Sequence, residues 1–385
     1  MKAKTKIANL TFAEASSIII GHGVGSGILA VPYLASRNSL RDLLVVIVLA
    51  YTINLLLHLM IADLSLNNHG AQFVKCFENE LFTGKLKKVA TWAAFGLLGI
   101  SVLVNVAGFI AGGAAVFESW FGLPSRIGMI LYYLLASGVV LYGLKIVGIF
   151  ETYAVVMMVA VMAVLGFAVV SGTTYPLPTT FVSLTNVLAL YSMISFSLSA
   201  VMSVPQVVKG LDGDPVKIRW SIAAGTGVNA ALILLVTFIT LFGAGRDITG
   251  SGALVDLSAK LGGWVGSVGY LFSLLALSTS FWANTLNLRD IMNEQTGWRE
   301  SESFGAGSLP CLLLALLGLN SFVGFTRLAG VIQVMTGIGV ILAFHKSRKR
   351  TGQAAVSGKF GVVLFEAVVI LSSLVATIGS VLPVK

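Results

Sequence analysis

The chain has 385 residues, of which 56% are hydrophobic and 11% are charged, and its mean hydropathy is +0.93. A soluble globular protein carries roughly 25% charged residues, so this composition excludes an ordinary water-soluble domain, and its high hydrophobicity excludes intrinsic disorder. Two cysteines exclude a disulfide scaffold, and four scattered histidines argue against a metalloenzyme. The composition predicts an all-α integral membrane protein.

Apolar runs long enough to cross a membrane recur along the whole chain. A spanning helix needs about 20 mostly apolar residues, and the connectors between runs are rich in Pro, Gly, Asn and Asp. The sequence therefore predicts eleven transmembrane helices. They cover residues 12–35, 43–62, 90–121, 127–144, 148–171, 186–210, 219–243, 263–287, 304–320, 323–344 and 360–382.

The basic residues predict the orientation of these helices. With the N-terminus in the cytoplasm, eighteen of the 25 Lys and Arg residues lie on the cytoplasmic side, as the positive-inside rule requires. The C-terminus is then outside. The net charge of +9 is accordingly a signal of topology, and no nucleic-acid partner is expected.

The first helix carries four alternate glycines, Gly21, Gly23, Gly25 and Gly27. Each costs roughly 1 kcal/mol relative to alanine in a regular helix. One interpretation is close helix packing through small residues, which calls for small residues four apart on one face. Alternate spacing distributes glycines around the axis, so the favoured interpretation is a helix broken in the middle of the membrane, where freed backbone groups line a cavity.

The sixth helix repeats this pattern. The segment 26–32 (SGILAVP) and the segment 199–205 (SAVMSVP) share serine, a small residue, two aliphatic residues, a small residue and Val-Pro, five helices apart. Five is odd, so the two copies have opposite topology. We expect a 5+5 inverted repeat with broken helices 1 and 6, plus one extra helix. Its units are residues 1–171 (helices 1–5), 172–344 (helices 6–10) and 345–385 (a basic loop and helix 11).

A family resemblance rests on the same two helices. Residues 25–33 (GSGILAVPY) resemble the first-helix signature of the amino acid/auxin permease family and its bacterial hydroxy/aromatic amino acid permease relatives, within the amino acid–polyamine–organocation superfamily. Residues 195–197 (SFS), the Val204-Pro205 pair and residues 213–219 (GDPVKIR) resemble the sixth helix and the following loop. The resemblance implies secondary transport of amino acids by alternating access.

The two breaks predict how an amino acid is held. Backbone amides at the start of the outer half of helix 1 suit the substrate carboxylate, because a helix N-terminus is positive, and carbonyls beside the breaks suit the ammonium group. Asparagines and a phenylalanine on helices 3, 6 and 8 are expected to set specificity. The expected substrate-binding residues are Gly25, Ser26, Gly27, Ser195, Phe196, Ser197, Asn105 and Asn284. No charged side chain lies at this depth in the sequence, which favours neutral substrates.

Helix 8 contains Ala276, Thr279 and Ser280 at a spacing that resembles the sodium site of sodium-coupled members of this fold. The resemblance implies that the carbonyls of Gly21, Val24 and Ala276 join two hydroxyl groups around Na⁺. The alternative is that both hydroxyls bond back to the preceding helical turn. Residues 152–170 contain no lysine, whereas proton-coupled members often place one there, and this favours Na⁺.

Ionisable residues in the apolar runs have structural and functional interpretations. Glu14 follows Thr11 by three residues, which is typical of a capping box, and Glu151 lies close to Lys145 along helix 5. Glu366 lies inside helix 11, where an interhelical contact or the interface of a homo-oligomer is favoured over a proton relay. His22 lies in the break of helix 1, where a neutral, hydrogen-bonded imidazole is the favoured interpretation, and it is the proton-linked candidate if coupling is to protons.

The sequence therefore predicts a secondary transporter of neutral L-amino acids in the plasma membrane of a prokaryote, with Na⁺ as the coupling ion and no other cofactor. Phe196 and the resemblance of helix 6 point to apolar or aromatic substrates. The alternatives are H⁺-coupled transport and an amino acid sensor of the germinant-receptor type, which binds without net transport. An enzyme is not expected, because the apolar runs hold no paired acids, histidine cluster or serine–histidine arrangement.

Overall fold

A computed structural model describes residues 9–172, 174–179, 183–245, 248, 257, 260–318 and 322–383. The side chains of residue 26 and of residues 322–336 lie outside this description. Among the described residues every regular element is helical. The α-helices, in chain order, are α1 (Phe12–Ser36), α2 (Leu40–Asn67), α3 (Phe73–Glu80), α4 (Lys87–Phe121), α5 (Ser125–Val140), α6 (Leu144–Val170), α7 (Leu184–Ser197), α8 (Val204–Gly210), α9 (Pro215–Ala244), α10 (Gly263–Thr296), α11 (Glu300–Leu316), α12 (Phe322–Thr351) and α13 (Val363–Val381).

Each of the eleven predicted apolar runs falls on one of these helices, with α7 and α8 together forming the sixth. The short helix α3, between the second and third runs, is additional. Within the described part of the chain, seven helical segments are long and apolar enough to cross a membrane, or eight when the two bent parts of α1 are taken as one span. The all-helical membrane fold is confirmed, and the exact number of spans stays a prediction.

Local signals in the sequence define several helix ends. The predicted capping box is present at the start of α1, where Thr11 Oγ1 accepts from the Glu14 amide and Glu14 Oε2 accepts from the Thr11 amide. The side chain of Asp214 caps α9 by accepting from the amides of residues 216 and 217, directly before Pro215. These caps satisfy amides that a helix leaves without partners.

The position of α1 is central. It packs against α6, α7, α9 and α10, and its apolar residues Ile18, Val24, Ile28 and Val31 are fully buried. In contrast, the outer helices expose large apolar side chains. Examples are Leu134, Leu135, Tyr153, Val156, Leu364 and Leu371. An apolar exterior around a buried central helix is the arrangement expected for a protein surrounded by lipid.

A buried carboxylate joins α2 to the segment between α12 and α13. Asp63 accepts from the amides of Val356 (2.7 Å) and Ser357 (2.8 Å) and from the Ser357 hydroxyl. Of the two roles expected for Glu366, the interhelical contact is present, because this residue of α13 pairs with His345 and Arg348 of α12. Side-chain acids thus hold α13 and the segment before it against α12 and α2.

We expect Asp63→Ala to lower the free energy of unfolding by about 1–3 kcal/mol, because it leaves two buried amides without an acceptor. Thermal unfolding of the purified protein in detergent measures the loss. Ser357→Ala removes one of the three bonds and should lower the melting temperature less than Asp63→Ala does. Equal melting temperatures for Asp63→Ala and the parent protein would contradict the role given to this carboxylate.

Candidate functional site: a cavity between two broken helices

Helix α1 is interrupted at Gly25. This residue has φ 3° and ψ −143°, which is not helical, and the parts of the helix on either side of it meet at 53°. The predicted break in the first spanning helix is therefore confirmed.

The sixth span is interrupted as well. Helix α7 ends at Ser197 and α8 begins at Val204, with a single 3₁₀ turn from Val201 to Ser203 between them. The amide of Ala200 lies in this break and donates to Nε2 of His58 on α2 at 3.0 Å. Pro205 stands at the start of α8, where its missing N–H leaves no donor unpaired. The break of α1 thus lies one residue before the segment 26–32. The break of the sixth span covers residues 198–203, most of which belong to the matching segment 199–205.

The glycines of α1 also form two close helix contacts. A side chain at Gly23 would meet the Ser197 carbonyl and the Asn229 amide group, and one at Gly27 would meet Ser197 itself. Gly23 and Gly27 are four residues apart on one face, which is the spacing of small-residue packing. The break of α1 is present, but the argument that alternate spacing excludes small-residue packing is wrong. The same run of glycines contains the break and allows close contact with neighbouring helices.

The second glycine pair faces other helices. A side chain at Gly21 would collide with the carboxylate of Glu151 on α6, and one at Gly25 would collide with the hydroxyl of Ser280 on α10. Alternate glycines therefore allow close contact on two faces of α1. One face approaches α7, and the other approaches α6 and α10.

A cavity lies where these helices meet. Its empty volume is about 630 Å³, counting the part that opens to solvent. The lining residues come from α1, α4, α10, the end of α7 and the break between α7 and α8. Among them His22 is the one residue with a titratable side chain. They are His22, Gly23, Gly25, Leu98, Ser101, Val102, Asn105, Phe109, Phe196, Ser199, Val201, Met202, Ser280 and Asn284.

Four of the expected substrate-binding residues line this cavity: Gly25, Asn105, Phe196 and Asn284. The two asparagines face each other, with Asn105 Nδ2 3.5 Å from Asn284 Oδ1, and Asn284 also donates to the Ser280 carbonyl at 2.8 Å. A pair of amides offers both donors and acceptors to a polar ligand.

Three of the other four expected residues, Gly27, Ser195 and Ser197, lie elsewhere. Gly27 packs on Ser197, whose hydroxyl donates to the Met193 carbonyl at 2.8 Å. The Ser195 hydroxyl is buried without a hydrogen-bond partner among the described residues. The side chain of Ser26 lies outside the described part of the structure. Gly27, Ser195 and Ser197 are not among the residues that line the cavity.

The residues expected to hold a cation are grouped beside the break of α1. Ser280 Oγ donates to the carbonyls of Gly21 (3.0 Å) and His22 (3.2 Å). Thr279 Oγ1 donates to the Ala276 carbonyl at 3.0 Å, which is the backbone bonding that the alternative interpretation anticipated. Val24 is fully buried in the same stretch of α1.

Two polar residues at the breaks were not predicted. Asn229 on α9 donates to the Ser197 carbonyl at 2.8 Å and lies against Gly23, while His58 on α2 accepts from Ala200. Both side chains are fully buried. A polar residue in the middle of an apolar run was the available signal, since such residues are rare in membrane helices unless they have partners.

His22 also contacts the second break. Its Nδ1 lies 2.8 Å from Ser203 Oγ, so the imidazole links the interrupted part of α1 to the 3₁₀ turn that precedes α8. This hydrogen bond agrees with the structural interpretation of His22 and leaves its proton-linked role untested.

Glu151 has surroundings that the sequence did not indicate. Lys145, the basic residue near it in the same helix, pairs instead with Glu14 of α1, with 2.6 Å between Nζ and Oε2. The Glu151 side chain is fully buried, and neither of its carboxylate oxygens has a hydrogen-bond partner among the described residues. The expected proximity to Lys145 therefore does not give a pairing.

Comparison with known families supports a permease. A profile of the tryptophan/tyrosine permease family matches residues 9–378. This is not the amino acid/auxin permease family that the motifs resemble most, but it is an amino acid permease family, as that resemblance implied. No curated protein sequence matches the chain at a significant level.

Solved transporter structures share this fold. MhsT in complex with L-phenylalanine superposes with a TM-score of 0.70 at 13% identity, covering 97% of this chain and 99% of that one. Mhp1, a nucleobase-cation-symport-1 family transporter with bound bromovinylhydantoin, gives 0.69 at 13% identity, with 97% and 91% covered. A manganese transporter of Eremococcus coleocola gives 0.62 at 12% identity, with 96% and 85% covered. At these identities the similarity establishes the fold alone.

Proposed function

The chain belongs to the tryptophan/tyrosine permease family, and from this we propose that it is a secondary transporter of neutral aromatic L-amino acids that works by alternating access and is coupled to Na⁺. The observation that carries the proposal is the cavity between the two breaks. Its lining combines the amides of Asn105 and Asn284 with the rings of Phe109 and Phe196, and it includes no Asp, Glu, Lys or Arg among the described residues.

The lining suits a zwitterion with an apolar side chain. The amides that begin the outer part of α1, after Gly25, suit the substrate carboxylate, because a helix N-terminus attracts negative charge. The rings of Phe109 and Phe196, together with Leu98 and Met202, offer an apolar surface for the substrate side chain. The asparagine amides then add hydrogen bonds at the polar end.

We propose that Na⁺ is transported with the amino acid and binds beside the break. Its ligands are the carbonyls of Gly21, Val24 and Ala276 and the hydroxyls of Thr279 and Ser280. The contact of Ser280 Oγ with the Gly21 carbonyl supports this assignment, since it brings α1 and α10 together at the required atoms. Oxygen ligands suit a hard cation.

Two contacts support the proposed inverted repeat. His58 of α2 reaches the break of the sixth span, at Ala200, and Asn229 of α9 reaches the break of α1, at Gly23. In a repeat of helices 1–5 and 6–10, the second and seventh spans are equivalent, so each supports the break of the opposite repeat. The offset between segments 26–32 and 199–205 places these two residues at nearly equivalent positions.

The transporter proposal is tested by uptake into proteoliposomes. We expect labelled tryptophan, tyrosine or phenylalanine to accumulate under an inward Na⁺ gradient, while lysine and glutamate do not. Accumulation that follows an H⁺ gradient alone would contradict Na⁺ coupling and direct attention to His22. Binding without accumulation under either gradient would contradict transport and support the sensor alternative.

We expect Asn105→Ala to raise the KM for the transported amino acid by about fivefold to thirtyfold, because one hydrogen bond to a polar ligand is worth about 1–2 kcal/mol. Asn54→Ala is the matched control, since Asn54 is a buried amide on α2 that bonds to the Ala50 carbonyl and is not among the cavity residues. An equal change of KM in both variants would contradict the placement of the substrate.

A further inference from the structure

Glu151 is exceptional among the buried acids of the described structure. Asp63, Glu14 and Glu366 each have hydrogen-bond or ion-pair partners, whereas neither oxygen of Glu151 has one. An unpaired charge in a low-dielectric interior is costly, and acids inside membrane helices mark functional sites by default. The Glu151 carboxylate therefore lacks a partner among the described residues, and a bound ligand could provide one.

The location of Glu151 identifies the kind of ligand. Its carboxylate lies so close to Gly21 that any side chain at that position would collide with it. The carbonyl of the same Gly21 accepts from Ser280 Oγ at 3.0 Å. The carboxylate and the Ser280 hydroxyl thus contact one residue of α1, and that residue is glycine, which allows the close approach.

The surrounding helices provide no basic partner. The helices that pack on α6 are α1, α5, α8, α9 and α10, and none of their charged or titratable side chains makes an ion pair or hydrogen bond with Glu151. Glu14 bonds to Lys145 and His22 to Ser203, while Arg289 bonds to Asp290. The remaining such residues on these helices are Tyr33, Arg126, Tyr132, Tyr133, Lys209, Lys217, Arg219, Tyr270 and Glu294.

We propose that Glu151 is a charged ligand of the transported monovalent cation, which it binds together with the oxygens beside Gly21. This inference rests on the proposed cation site and adds to it a residue from α6. A cage of carbonyl and hydroxyl oxygens alone would leave the charge of the ion uncompensated in the membrane interior. A carboxylate supplies both the opposite charge and a hard oxygen ligand.

The test is direct binding of ²²Na⁺ to the purified full-length protein. Glu151→Gln keeps the shape and removes the charge, and we expect it to weaken Na⁺ binding by about 100-fold or more, as for loss of one member of a buried charge pair. Glu151→Asp, which keeps the charge, should bind more tightly than Glu151→Gln. Glu366→Gln is the control, because Glu366 is buried but already pairs with His345 and Arg348, and it should bind Na⁺ like the parent protein.

A second measurement uses the unmodified chain and does not depend on the folding of a variant. An apolar carbodiimide should label Glu151 in Na⁺-free buffer, as located by peptide mass spectrometry, and Na⁺ should protect this residue where choline does not. Na⁺ binding that is equal in Glu151→Gln and the parent protein, or labelling that Na⁺ leaves unchanged, would overturn the inference while leaving the proposed function standing. Absence of ²²Na⁺ binding by the parent protein would overturn both the inference and the proposed Na⁺ coupling.

Discussion

Replacing Gly27 with alanine should reduce amino acid uptake by about 100-fold or more. A Cβ at this position would lie 2.9 Å from Cβ and 3.0 Å from Cα of Ser197, and the second of these atoms belongs to the backbone. The added methyl group must therefore push the outer part of α1 away from the end of α7. Since both breaks border the cavity, small displacements there misplace the groups that hold the substrate, and misplacement of about 1 Å is enough for losses of this size.

Gly99→Ala is the matched control for Gly27→Ala. Gly99 is a helical glycine of α4 with no atom within 4 Å of an added Cβ, so the substitution should be tolerated and, from helix propensity, stabilise the helix by up to about 1 kcal/mol. Uptake into proteoliposomes and binding of labelled tryptophan are measured for both variants. Uptake by Gly27→Ala at the level of Gly99→Ala would show that the crossing of α1 and α7 tolerates separation.

The membrane helices and their breaks could be predicted from the sequence. Apolar runs of spanning length identify membrane helices because lipid offers no hydrogen bonds to an open backbone. The glycine run around Gly25 and the Val204-Pro205 pair then identify where two of those helices are interrupted. Capping of α1 by Thr11 and Glu14 was equally local, since it depends on residues three apart.

The contacts between helices were much harder to predict. The alternate spacing of the glycines argues against packing on one face, yet Gly23 and Gly27 face α7 while Gly21 faces α6. Two interleaved faces with a period of four residues look like a simple alternation when only one helix is considered. A sequence gives the spacing along each helix, but it does not show which neighbour each face meets.

Glu151 illustrates the same difficulty. The general signal was present, since an acid inside an apolar run is a functional hypothesis by default. Proximity to Lys145 in the sequence suggested a local partner, but Lys145 turns to Glu14 on α1. Residues six apart on a helix lie on different faces, so closeness in sequence was a poor guide to pairing.

Replacing Ser280 with alanine should shift the stimulation of uptake by Na⁺ to about tenfold to 100-fold higher Na⁺ concentrations. The Ser280 hydroxyl donates to the carbonyls of both Gly21 and His22 and is itself one of the proposed cation ligands. Its removal takes one oxygen from the cage and loosens the contact of α10 with α1. Loss of about 1–3 kcal/mol of binding free energy is expected for a buried polar contact, which corresponds to a Na⁺ affinity about tenfold to 100-fold weaker.

Ser273→Ala separates this effect from a general loss of hydroxyl groups in α10. The Ser273 hydroxyl bonds to the Gly269 carbonyl of its own helix at 2.9 Å and lies two turns before Ser280, so its removal should leave the Na⁺ dependence of uptake unchanged. Thermal unfolding with and without Na⁺ provides the second readout. A purely structural Ser280 would lower the melting temperature equally in both conditions, whereas a cation ligand removes the stabilisation that Na⁺ adds to the folded protein.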